Sequence, residues 1–389
     1  MSRIITRNLV VIFHVTLVAV LGVASIAPAL PHMTRPLGIT GAEAALLITV
    51  FTLPGVFLTP IYGMLADRYG RKQVLVPSLF LFAAAGTACG LTTDFSLLLV
   101  FRFFQGVGVA PIGSLNLTLI GDLYEGQRRF AAMGYNAMVL SFSTALYPAL
   151  GGGLAQLQWN YPFFLSVIAL PVGLAVIFIL KLPDLHKSES IKGYLLGSWR
   201  LLKKPGLLGL LYASLATFIL LYGVLLSYFP FFMEERFNAS PSVIGIVISA
   251  ASLATALTSM NLKSLSSRIN PKYLLLGAFI LYGVSLVAVL PIQNIWFMLI
   301  PVLIYGAANG VNMPNVHAQV SGMAPAENRG AIMSINGMVL RLGQTLGPGI
   351  SATLFALTGI MGVLIGGIIF TLISALVIAL VVSPVEQKG

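Results

Sequence analysis

The chain has 389 residues, of which 58% are hydrophobic and 8% charged, with a formal net charge of +11. Soluble domains carry about 25% charged residues, so this composition cannot cover a water-facing surface. The positive charge does not point to nucleic acid, because the bases fall between apolar segments and form no basic face carrying aromatic platforms. The single cysteine, Cys89, lies in an apolar stretch and excludes a disulfide framework.

A spanning helix needs about 20 mostly apolar residues. Such stretches are predicted at 8–30, 42–62, 73–92, 96–119, 130–154, 161–181, 207–232, 241–261, 272–291, 295–321, 330–356 and 360–382. They are too long for the strands of a membrane barrel. The first resembles a signal peptide in outline. Pro28, Pro31 and Pro36 follow it without a small-residue cleavage site, and another span comes next, so it reads as a retained first helix. With both termini inside, 18 of the 22 Lys and Arg residues fall in inner segments, against only Arg35 and Arg236 outside. This asymmetry places both termini in the cytoplasm. Arg102 and Arg341 fall inside predicted spans.

The two halves repeat at an offset of 200 residues. Residues 129–148 and 329–348 share nine of 20 positions, including Arg129/Arg329, Asn136/Asn336 and Pro148/Pro348. The same offset relates Leu65/Leu265, Arg68/Arg268, Lys72/Lys272 and Gly106/Gly306. Parallel duplication of six-span units is a transporter architecture, with the solute site near the midplane. The expected fold is all-α integral membrane, with twelve transmembrane helices in two pseudo-symmetric six-helix bundles. The bundles are placed at 1–181 and 207–389, joined by a cytoplasmic linker at 182–206.

The motifs follow in chain order. His14 in span 1 is a candidate proton carrier, as is His317 near the end of span 10. After span 2 comes Gly63-Met64-Leu65-Ala66-Asp67-Arg68-Tyr69-Gly70-Arg71-Lys72, a turn with one acid among three bases. It resembles the signature G-x-L-A-D-R-x-G-R-K of the major facilitator superfamily, without gap or substitution. The second copy keeps Leu265, Arg268 and Lys272 but carries Ser267 and Asn270. The resemblance implies a gating latch. In it Asp67 would lie near the start of span 11, Arg71 would pair with Asp122, and Arg129 and Arg329 would stand close by.

Span 4 carries Arg102, Gln105, Gly106 and Gly108, similar to the superfamily's R-x-x-Q-G-x-G. Arg102, Gln105, Val109, Ile112 and Asn116 share one helical face. The resemblance implies proton handling or conformational coupling for the arginine, against a structural role as a hydrogen-bond donor. In span 5, Pro148, Gly151 and Gly152 match the antiporter motif G-x-x-x-G-P-x-x-G-G, although Ala145 and Tyr147 stand where it has glycine. Gly347 and Pro348 stand at the corresponding place in the second half. These are helix-bend candidates. Ala27-Pro28-Ala29-Leu30-Pro31 is similar to the P-x-L-P element of drug and metabolite exporters.

No carboxylate falls at mid-span, so Arg102, Gln105, Asp122 and His14 are the proton-coupling candidates. Arg341 lies 11 residues into span 11, roughly 16 Å along the helix, near the middle of a hydrocarbon core about 30 Å thick. An ionisable group at that depth is a functional-site hypothesis. With Asn136, Tyr147, Tyr222, Asn309, Asn312 and Gln344 it is expected to line a solute cavity, against the alternative of helix-to-helix bonding.

The sequence offers no metal-ligand cluster, phosphate loop or Ser-His-acid set, so neither an enzyme nor a cofactor is expected. The leading expectation is a monomeric multi-pass protein of a bacterial cytoplasmic membrane. It would export a drug-like or metabolite solute in exchange for protons. Uptake or facilitated passage of an anionic or polar solute through Arg341 is one alternative. A non-transporting sensor on the same fold is another.

Overall fold

The computed structural model describes residues 5–182, 205–323 and 329–382, the side chains of 205 and 329–331 aside. Every regular element among the described residues is helical. Ten apolar helical segments are numbered here α1 to α10. They are Arg7–Leu37, Gly41–Tyr69, Arg71–Leu91, Phe95–Leu123, Gly126–Leu157, Tyr161–Phe178, Gly206–Phe237, Pro241–Met260, Pro271–Val289 and Ile295–Met323. The helical stretch Arg329–Val381 is 53 residues long, far more than one crossing needs. Gly359, at φ 68° and ψ −168°, breaks it into α11 (329–358) and α12 (360–381). Twelve spans therefore lie among the described residues.

The chain divides into two compact units. One is Met1–Glu189 with Ser240–Gly245, the other Ser190–Ala239 with Ile246–Gly389. Residues 183–204 of the expected linker lie outside the described residues. Large apolar side chains point outward from the helices, among them Phe57, Phe130 and Phe178 in the first unit and Leu357 and Leu380 in the second. Such a sheath suits acyl chains and would be costly in water.

Three helices of the first unit start at side-chain caps that satisfy otherwise orphaned N–H groups. Thr6 caps α1 and Asp94 caps α4. At α2, Thr40 and Glu43 cap each other's backbone N–H groups, at 3.2 and 2.8 Å. Two segments run further than their sequence suggests. The first does not stop at the Pro-rich element: it passes through a 3-10 turn at Ala27–Ala29 and continues as helix to Leu37. Proline at the first turn of a helical segment lacks only an N–H that would be orphaned anyway. The second helix absorbs most of the signature loop and ends at Tyr69. Gly70, at φ 106°, makes the turn there, a conformation that side chains other than glycine resist.

The repeat is visible in packing within each unit. Lys72 Nζ donates to Ile177 O at 3.3 Å, and Lys272 Nζ donates to Ala379 O at 2.8 Å. Thr59 Oγ1 donates to Ala110 O at 3.3 Å, and Ser259 Oγ to Gly310 O at 3.1 Å. The Thr59/Ser259 and Ala110/Gly310 positions are offset by 200. A Cβ on Gly106 would strike the Phe51 carbonyl, and one on Gly306 the Ala251 carbonyl. These glycines bring the second and fourth helices of each half into backbone contact.

Candidate functional site

The signature turn builds an ion cluster in the first unit. Asp67 and Arg71 stand one helical turn apart in number, on either side of Gly70. Arg71 Nη1 donates to Asp67 Oδ1, while its Nε donates to Asp122 Oδ2 at 3.1 Å. Asp122 lies in the last turn of α4, where the helix dipole disfavours an anion, so the guanidinium offsets an unfavourable placement. Arg129, in the first turn of α5, approaches Gly121, with its Nη2 3.1 Å from where a Cβ would stand. Arg68 is exposed, its guanidinium 5.3 Å from the Tyr69 ring centre. Gly63 is half-buried, with open space around a Cβ placed there. The backbone of Arg329 opens α11, and its side chain lies outside the described residues.

Arg102 of α4 is fully buried. Its Nε donates to Leu47 O at 2.9 Å, and its Nη1 donates to Gly22 O at 3.0 Å and to Gln105 Oε1 at 2.7 Å. The guanidinium carbon lies 4.1 Å from the Phe51 ring centre and 5.9 Å from that of Phe163. Gln105 passes the network on, donating to Ser166 Oγ at 2.8 Å. One cation thus joins α1, α2, α4 and α6, and two aromatic faces replace part of its hydration.

Asn136 of α5 is buried and accepts from Thr16 Oγ1 at 2.5 Å, and Asn116 donates to the same Thr16 hydroxyl. This triad ties α1, α4 and α5. The second unit has its counterpart. Asn312 Nδ2 donates to Thr217 Oγ1 at 2.5 Å, Tyr282 Oη donates to Asn309 Oδ1 at 3.0 Å, and Ser214 Oγ donates to Asn336 Oδ1 at 2.7 Å. Asn309 and Asn312 are buried among α7, α9 and α10, bonded to other helices. Tyr147 is buried in α5 beside Pro148. Gly151 admits the Ser25 carbonyl where a Cβ would stand, and Gly152 admits that of Pro241, both within the first unit. Gly347, next to Pro348, packs on the Ile219 carbonyl, 2.7 Å from a Cβ placed there.

Arg341 has a different setting. It is half-buried in α11, 12 residues from the helix start, about 18 Å along the axis. Among the described residues its guanidinium makes one hydrogen bond, from Nη1 to Gln344 Oε1 at 3.4 Å. That lies beyond the usual range of about 2.7–3.2 Å. Tyr222 of α7, also half-buried, is within electrostatic reach. Tyr222 falls in a π-helical segment, Leu220–Tyr228, and its carbonyl accepts from Ser227 Oγ at 2.6 Å. π turns inside α-helices concentrate at functional sites. His14 is exposed on α1, with Nδ1 2.8 Å from Val10 O. His317 is half-buried in α10.

The profile of the Major Facilitator Superfamily matches residues 12–238 and 223–389. The chain belongs to this superfamily. It is 25% identical over 367 residues to the bacillibactin exporter of Bacillus subtilis (strain 168), covering 90% of each chain. It is 24% identical over 358 residues to the quinolone resistance protein NorA of Staphylococcus aureus (strain MRSA252), again covering 90% of each. A crystal structure of the nucleoside transporter NupG in mutant form superposes with a TM-score of 0.80 at 12% identity, over 97% of this chain and 100% of that one. The last likeness speaks for the fold. Superfamily members are multi-pass membrane transporters of small-molecule solutes, and this chain is one of them.

Several partners of the superfamily motifs were not legible beforehand. Thr16 and Thr217 sit in apolar runs where a threonine bonds its own helix as readily as a neighbour. Phe51 and Phe163 reach Arg102 from α2 and α6, Ser166 of α6 reaches Gln105, and only the folded bundle brings them together. The 200-residue offset marked Asn136 and Asn336, and helical spacing marked Asn116.

Proposed function

We propose that this chain is a secondary-active exporter that works by alternating access and moves a drug-like or metabolite solute in exchange for protons. The observation that carries this reading is the end-to-end likeness to two curated relatives, one named an exporter and the other a resistance protein. Gly63, Asp67, Arg68, Gly70, Arg71, Asp122, Arg129 and Arg329 form the gating latch. Pro148, Gly151, Gly152, Gly347 and Pro348 permit helix bending. Arg341, Gln344 and Tyr222 meet the solute, with Asn136, Tyr147, Asn309 and Asn312 shaping the helices around it. Of the proton-coupling candidates, Arg102 and Gln105 are tied into a buried network and Asp122 is held by Arg71. His14 is exposed, and one of its ring nitrogens is not tied to the helix. We assign it the proton.

The protein is monomeric in this reading, with both termini in the cytoplasm of a bacterial cell. In energised inverted membrane vesicles, a quinolone or a transported metabolite should discharge a preformed pH gradient. His14→Ala should lose that discharge while still binding the solute. A flat trace with wild-type protein across a panel of bound solutes contradicts export by proton exchange. A second reading, uptake or facilitated passage of an anionic solute, is favoured by one observation: the sparse coordination of Arg341.

A further inference from the structure

The turn at Gly70 joins two helices, α2 and α3, that pack mainly on α4 rather than on each other. α4 presents Gly106 to the Phe51 carbonyl of α2 and Gly108 to the Ser78 carbonyl of α3. Thr59 Oγ1 of α2 donates to Ala110 O of α4 at 3.3 Å. Pro60 and Pro77 stand inside α2 and α3, and each removes a donor from the backbone ladder. Between the two helices lies an unfilled cleft of about 450 Å³, walled by Tyr62, Leu65 and Tyr69 of α2 and by Val74, Pro77 and Leu81 of α3. It starts at the end of the spans, by Tyr69 and Gln73, and runs inward along α3 to Leu81, about 12 Å.

The walls are apolar in effect. Ser78 also lines the cleft but gives its hydroxyl to Val74 O at 2.7 Å. A slot of this size left empty forfeits the dispersion contacts of the side chains along it. Both helices are long and apolar enough to cross a bilayer, whose hydrocarbon can fill the slot.

The mouth of the cleft is cationic. Arg68 is exposed at the end of α2, with its guanidinium 5.3 Å from the ring centre of Tyr69, which lines the cleft. The neighbouring bases are occupied: Arg71 holds Asp67 and Asp122, and Lys72 donates to Ile177 O at 3.3 Å. Arg68 pairs with no acid among the described residues. Gln73, exposed beside Gly70, adds an amide to the mouth. A guanidinium takes phosphate oxygens through paired N–H bonds, and basic recesses between spanning helices hold anionic lipid headgroups.

We infer that the α2–α3 cleft binds one anionic phospholipid, with an acyl chain along Leu65, Val74 and Leu81 and the phosphate on Arg68. Such binding needs neither a particular solute nor a direction of transport. A soluble anion would leave the apolar walls bare, and a zwitterionic lipid would bring its own cation towards Arg68.

The test is native mass spectrometry of the delipidated full-length protein in detergent. The probes are dioleoyl phosphatidylglycerol, dioleoyl phosphatidylcholine and glycerol 3-phosphate. Wild-type protein should take the first phosphatidylglycerol roughly fivefold more tightly than the first phosphatidylcholine, the size expected of one basic group near anionic lipid. It should not retain glycerol 3-phosphate. Arg68→Gln should erase the preference and leave phosphatidylcholine binding in place. Arg268→Gln, which removes the same charge at the repeat position of the second half, should keep the preference. Leu65→Trp fills the cleft and should weaken both lipids. Equal wild-type affinity for the two lipids, a preference that survives Arg68→Gln or falls equally with Arg268→Gln, or undiminished binding by Leu65→Trp would each overturn the inference. So would glycerol 3-phosphate held as tightly as phosphatidylglycerol, since the chain would then contribute nothing. The wild-type comparison among the three probes decides even if a variant does not fold.

Discussion

Arg102 and Arg341 each place a guanidinium inside an apolar helix, one in each half, and the two halves treat that charge differently. Arg102 is sealed. Two backbone carbonyls, a glutamine oxygen and two aromatic faces surround it, drawn from α1, α2, α4 and α6. Arg341 is half-buried, with one long bond to its own helix. Burying a charge is tolerable when its donors are used. Arg102 meets that condition at Nε and Nη1, with Nη2 left without a hydrogen-bond partner, whereas Arg341 has one long bond to its own helix. The difference separates a residue that holds helices together from one that is available to a ligand.

The largest effect should come from removing the sealed cation. Arg102→Leu leaves the Gln105 amide without its donor and removes the contacts with Phe51 and Phe163. A stability loss of about 2–4 kcal/mol is expected, read as a lower apparent melting temperature and lower yield. Arg341→Leu should leave the melting temperature unchanged or raise it, because it removes a charge with little compensation. If the two variants behave alike, the contrast drawn here is wrong.

Phe51→Leu sharpens the same point at one contact. It keeps apolar volume but removes the nearer ring face from Arg102, and should cost about 1–2 kcal/mol. A substitution that is neutral for stability would mean that the hydrogen bonds alone hold the guanidinium.

Arg71 is intermediate, partly exposed and paired with two acids. Asp122→Asn should change stability by less than about 1 kcal/mol. If the pair clamps one conformation, that same small energy shifts the populations of the two states by up to roughly fivefold. The shift would be read as changed accessibility of engineered cysteines at the cytoplasmic ends of the helices. Unchanged accessibility would reduce the pair to a surface contact. Asn136→Ala should cost about 1 kcal/mol, for the loss of a buried hydrogen bond to Thr16, read as a lower apparent melting temperature.

Periodicity and the repeat made the fold readable, because a twelve-span, two-half chain writes both in plain apolar runs and a fixed offset. The signature residues Gly63 to Lys72 were also readable, although the sequence suggested a loop where α2 continues to Tyr69. Four turn-forming side chains in a row would mark such a loop, and here Gly70 alone supplies the break. Arg341 stood out because charge at mid-span is rare. What surrounds it did not. The π segment at Leu220–Tyr228 carries no proline or other local mark, since it arises where α7 packs on α11. The partners of Arg102 were hidden for a related reason: Leu47 and Gly22 contribute backbone carbonyls, which have no residue signature.

The central claim is that this protein carries a solute across the membrane and that Arg341 faces that solute. Counterflow in reconstituted proteoliposomes tests it most directly, using a solute shown to bind the purified protein. Vesicles loaded with that solute should accumulate the labelled form saturably with wild-type protein, and Arg341→Gln should lower the rate at least tenfold without lowering the amount of inserted protein. Accumulation no faster than in protein-free liposomes, despite measured binding, would contradict the account and leave a membrane receptor on a transporter fold.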